Sequence, residues 1–90
     1  MTTNVLSAII TAYIATGHPT ASGVAPCSGR TIAAPRCVPL GSKVVICNHV
    51  FTVEDRTARR YDGRFDIFMP TKELATLWGK QRLTVTIISP

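Results

Sequence analysis

The sequence predicts a mainly β domain in which six short strands and one helix form a small barrel with the helix as its cover. Three observations lead there. Short runs rich in Val, Ile, Thr and Phe recur between clusters of Gly, Pro, Ser and Asn, which is strand-and-turn patterning. One stretch alone has helical spacing and helix end signals. At 90 residues the chain has room for one hydrophobic core, so all of these elements must share it, as a single domain over residues 1–90.

The first predicted strand runs from about Val5 to Tyr13. Its β-branched, Thr- and Ser-containing character suits a buried strand, and the run is too short to span a membrane as a helix. Turn formers at Gly17, Pro19, Gly23, Pro26 and Gly29 then predict one long loop or two short ones. Thr31–Ala34 reads as a brief strand, and Leu40-Gly41-Ser42 as a turn. Lys43–Cys47 and Phe51–Glu54 read as a hairpin pair joined by a tight turn at Asn48-His49. Arg56 to Gly63 is polar and loop-like, and Arg64–Phe68 is a short strand. Thr71 is the expected N-cap of the helix, Glu73 lies in its first turn and Gly79 is its stop. Leu74, Leu77 and Trp78 at i, i+3 and i+4 give it one apolar face. Arg82–Ile88 alternates as the last strand.

Composition narrows the function classes. With 46% hydrophobic and 17% charged residues the chain is globular, and its formal charge of +5 favours an anionic partner. The nearest basic cluster, Arg56, Arg59 and Arg60, has no interleaved aromatics, so no nucleic-acid partner is expected. No Lys or Arg precedes Arg30, so the apolar start lacks the positive region of a signal peptide. The expectation is a chain without its own export signal.

Cys27, Cys37 and Cys47 form no CxxC pair, and their ten-residue spacing fits no common zinc pattern. Cys47 alternates with Val45 and is expected to be a small core residue. Cys27 and Cys37 lie in loop-like sequence, free or paired according to the redox setting. Neither His18 nor His49 stands in an arrangement that would activate a cysteine.

The acidic residues are Glu54, Asp55, Asp62, Asp66 and Glu73. Asp55 stands where a strand gives way to a loop. Asp66 is set within Phe65-Asp66-Ile67-Phe68, where a carboxylate is costly unless it is hydrogen-bonded or functional. Burial would raise its pKa and equip it as a general acid. Spacing alone favours a plainer role, as the outward residue of an alternating strand or a tie to a loop. No Walker A, GxGxxG, HExxH or GxSxG pattern competes.

A set of segments in fixed order carries a family resemblance. They are Thr11-Ala12-Tyr13, Thr20-Ala21-Ser22-Gly23, Gly29-Arg30-Thr31-Ile32-Ala33, Val38-Pro39-Leu40-Gly41-Ser42-Lys43-Val44, Val53-Glu54-Asp55, Gly63-Arg64-Phe65-Asp66-Ile67-Phe68 and Leu77-Trp78-Gly79. Together they resemble the 3D (three-aspartate) domain, similar to the catalytic core of membrane-bound lytic transglycosylase A. The resemblance implies a six-stranded double-psi β-barrel and cleavage of the MurNAc–GlcNAc bond of peptidoglycan to an anhydro sugar. It implies Asp66 as the catalytic acid/base and Asp55 as its catalytic partner, with substrate contacts from Thr11, Tyr13, Thr20 and Arg64. It implies no cofactor and no metal, a monomer, and peptidoglycan glycan strands as the partner. Where the family usually has an aspartate before Pro-Leu-Gly, this chain reads Ala33-Ala34-Pro35-Arg36, so two of the three aspartates are present. A Thr-Gly-Gly turn is replaced by Arg56-Thr57-Ala58. A non-catalytic wall-binding module or a phage structural component on the same barrel is the alternative. The expected place of action is the bacterial cell wall or periplasm, reached by phage delivery or as part of a virion.

Overall fold

The six predicted strands are present, in a ring. The computed structural model describes residues 1–61 and 63–90; Asp62, within the predicted loop from Arg56 to Gly63, lies outside them. The elements are β1 (Thr2–Tyr13), β2 (Thr31–Ala34), β3 (Lys43–Ile46), β4 (His49–Arg56), a 3-10 turn (Arg59–Tyr61), β5 (Arg64–Phe68), α1 (Lys72–Trp78) and β6 (Gln81–Ser89). The strands close in the order β1-β5-β2-β4-β3-β6. Pairs β1/β5 and β2/β4 are parallel and the others antiparallel. This closed six-stranded mixed barrel is compatible with the double-psi arrangement. Closure pairs each strand with a neighbour on both sides over at least part of its length, which limits the open sheet edge that a small β domain must protect.

The barrel interior takes one residue in two from each strand, as a pleated sheet requires. Ala8 and Ile10, Ile32 and Ala34, Val44 and Ile46, Phe51 and Val53, Phe65 and Ile67, and Val85 and Ile87 fill it. Ile10, Ile32, Val44 and Val85 are wholly buried. Filling by these branched and aromatic chains leaves the inside a packed core, so any chemistry must sit on the outer face or at the rims.

Several local expectations change. The first strand starts at Thr2, and its early part is not buried: Val5 and Leu6 are exposed where it pairs with β6 alone. The tight turn lies one residue earlier than the spacing predicted, at Cys47-Asn48, both at positive φ (50° and 64°). Two successive left-handed residues make the hairpin connection whose twist matches its strands. Cys47 is therefore an exposed turn residue and not part of the core. All three cysteines are free and exposed.

The helix has its predicted ends. The Thr71 side chain accepts from the Leu74 N–H, and Gly79 stops it at φ 66°. Its predicted apolar face is only partly used. Trp78 packs against the core and donates its indole N–H to the Ile10 carbonyl at 3.1 Å, while Leu74 is exposed and Leu77 is 82% exposed.

Candidate functional site

Strand register gathers the predicted residues on one outer face. Thr11 of β1 is opposite Asp66 of β5; Asp66 is opposite Ala33 of β2; and Ala33 is opposite Asp55 of β4. The two aspartates thus lie in one row across the sheet, two strands apart, which puts their Cα atoms about 9–10 Å from each other. Ala33 lies between them. It is 2% exposed and stands outside the core cluster.

A β-bulge puts Asp55 in that row. Ile32 is opposite Val53 but Ala33 is opposite Asp55, so Glu54 is the additional residue. Without it, strict alternation from inward-facing Val53 would turn Asp55 into the barrel. The Glu54 carboxylate anchors the bulge: it accepts from the Thr31 hydroxyl at 2.6 Å and pairs with Arg30 at 3.0 Å.

Asp55 is held by three donors. The Tyr13 hydroxyl donates to Oδ2 at 2.9 Å, and the N–H groups of Ala21 and Arg56 donate to Oδ1 at 3.0 and 2.9 Å. Tyr13 is itself fixed by an edge-on contact with Phe68, ring centroids 5.6 Å apart. Burial, its bond to Asp55 and the nearby carboxylates push the Tyr13 phenol above the ordinary tyrosine range, so it remains a proton donor to Asp55.

Asp66 differs. Thr11 donates to its Oδ1 at 3.1 Å, and no other donor bonds it among the described residues. Burial is the main cause that raises its pKa above the ordinary aspartate value; the Asp55 charge adds to the rise and the Thr11 bond works against it. Asp66 opens onto a cleft of about 370 Å³, lined also by Thr11, Thr57, Ala58, Tyr61 and Arg64. That size lies within the roughly 300–1,000 Å³ of small-molecule sites.

Of the other predicted contacts, Thr11 and Arg64 line this cleft and Tyr13 reaches the site through Asp55. Thr20 is not among the lining residues. Its hydroxyl serves the loop, donating to the Val24 carbonyl at 2.7 Å and lying 3.0 Å from Ser22 Oγ. Its neighbour Ala21 is the loop residue that touches an aspartate. Thr57 and Tyr61 were missed by sequence reading: both fall in the segment that read as a solvated loop, and an unusual hydroxyl there carries no pattern.

Among the described residues, no group of three or more His, Cys, Asp or Glu is placed to hold a metal ion. No helix among them is long and apolar enough to cross a membrane. No protein-family model matches the sequence, and no curated protein matches it.

Proposed function

We propose that the protein is a peptidoglycan lytic transglycosylase in which Asp66 is the single acid/base. The observation that carries this reading is the asymmetry of the two carboxyl groups. Asp66 is half-buried, singly bonded, raised in pKa and open to a cleft; Asp55 is tied by three donors beside it. A carboxyl whose burial favours its protonated form more than in an exposed aspartate is suited to general acid catalysis, and Asp55 is its positioning and electrostatic neighbour.

The reaction follows from one proton. Asp66 protonates the glycosidic oxygen as the bond from that oxygen to C1 of MurNAc breaks. The resulting carboxylate then takes the proton of the same sugar's C6 hydroxyl, whose oxygen bonds to C1 and closes the anhydro ring. Asp66 ends protonated, as it began. The substrate supplies the nucleophile, so no second carboxylate is needed to activate water, unlike in common glycosidases.

The direct test is incubation with purified sacculi and mass spectrometry of the soluble products. Anhydro-muropeptides from the native protein, absent with Asp66→Asn, are the expected result. Products that persist with Asp66→Asn would remove Asp66 from the mechanism. Co-sedimentation with sacculi without any product would instead identify a wall-binding module.

A further inference from the structure

The first strand is only half enclosed. From Ile9 to Tyr13 it lies between β5 and β6, but β5 starts at Arg64, opposite Ile9. The residues of β1 before Ile9 pair with β6 alone. Residues 2–6 therefore present a row of backbone N–H and C=O groups on the side that β5 does not reach, with no strand partner there among the described residues. Such an edge is a template for another strand, and folded proteins usually guard it with Lys, Pro or a bulge. None of these guards is present here. Thr2, Thr3, Asn4, Val5 and Leu6 are uncharged and exposed, Val5 at 66%, and their register with β6 runs without a shift.

A cavity adjoins this edge. It has a volume of about 330 Å³ and is lined by Leu6, Val38, Phe65 and Ile87, with Arg36 the one charged residue on it among the described residues. Alternation puts Leu6 on the inward face of β1, the face of Ala8 and Ile10 in the core. A strand laid against β1 turns every second side chain to that same face. One of them then stands over the cavity, which has room for a Leu or Ile side chain.

We propose that the open edge of β1 is a docking site for an extended peptide of another protein, acidic overall and carrying a large aliphatic side chain for the cavity. Backbone bonds to residues 2–6 hold the peptide, and the cavity selects the side chain. Two observations favour a separate peptide over a second copy of this chain. Each copy carries a formal charge of +5, so copies repel while an acidic peptide is attracted. In a β1–β1 pair the Leu6 of each copy already lines its own cavity, so both cavities stay unfilled; a peptide fills one. Leu6 is five residues along β1 from Thr11, the strand partner of Asp66, or about 17 Å at the rise of a strand. The peptide site is thus separate from the aspartate cleft and does not depend on the saccharide reading.

The test uses the full chain and a synthetic peptide, acetyl-Glu-Val-Thr-Leu-Thr-Val-Glu-amide, whose apolar residues share one strand face. Amide chemical-shift titration should give saturable shifts centred on residues 2–6, and hydrogen exchange there should slow. Ala in place of the peptide's Leu should weaken binding about ten-fold, as expected when a largely buried side chain is cut to a methyl group. Peptides N-methylated along one edge or the other lose backbone donors, and the one methylated on the edge facing β1 should not bind. These changes leave the protein itself unaltered, so a loss of binding does not come from unfolding. Absence of binding, shifts confined to other residues, or binding unchanged by either kind of peptide change overturns the site. Concentration-dependent dimers in sedimentation without peptide, with the same amides slowed, overturn the peptide in favour of a second copy. Binding is read without sacculi, so it stands or falls apart from the formation of anhydro products.

Discussion

Asp66 experiences opposed influences, and each can be removed separately. Thr11→Val deletes the bond that favours the carboxylate, so the Asp66 pKa should rise. Asp55→Asn deletes a neighbouring negative charge, so it should fall. Carbon-detected NMR titration of Asp66 reads both, and shifts of the same sign would contradict the geometry. The alkaline limb of the pH–activity profile should move with each. Stability has its own sign. The folded Asp66 holds its proton to higher pH than the unfolded chain does, so this group's contribution to stability falls as pH rises from the unfolded pKa through the folded one. Asp66→Asn should accordingly melt higher than the native protein at neutral pH, with the gain vanishing at acid pH. At this scale Asp66 was legible in the sequence because a carboxylate between aromatic and branched neighbours breaks the expected pattern. Thr57 was not, because its place on the cleft exists only once the surrounding chain has packed.

At the scale of elements, the bulge at Glu54 decides which way Asp55 points. Glu54→Ala would leave the wholly buried Thr31 hydroxyl without its acceptor and should cost about 1–3 kcal/mol in urea unfolding. Glu54→Gln keeps an acceptor and should cost less. The sequence showed β4 as a strand, but one inserted residue changes neither composition nor propensity, and only pairing with β2 makes it visible. The helix teaches the converse. Its caps were readable because Thr71 and Gly79 act locally, whereas its apolar spacing overstated burial. Trp78→Phe loses the bond to the Ile10 carbonyl and should cost about 1–2 kcal/mol, while Leu77→Ser should stay within about 0.5 kcal/mol. The misplaced hairpin has a similar origin: Asn48 was recognised as a turn former, but Cys47 has little intrinsic preference for positive φ and takes it because the strands on either side pair in register.

For the whole molecule, closure of the ring sets folding and recognition. Most pairings join distant parts of the chain, β1 to β5 and β6 above all. Loop closure must precede these contacts, so stopped-flow refolding should take milliseconds to seconds, in line with other barrels of high contact order; microsecond refolding would contradict this topology. The closed mainly β class was legible because alternation and turn signals recur along the entire chain. The strand order was not, since parallel neighbours such as β1 and β5 are far apart in sequence. Thr2 of β1 is directly opposite Ser89 of β6, so the start of the first strand and the end of the last meet across a single strand pair. The order in which the elements are written along the gene is thus separable from the order in which they are assembled in space. A few residues joining the ends, with new ends cut between Gly17 and His18, would yield a circular permutant with the same barrel and the same row of aspartates.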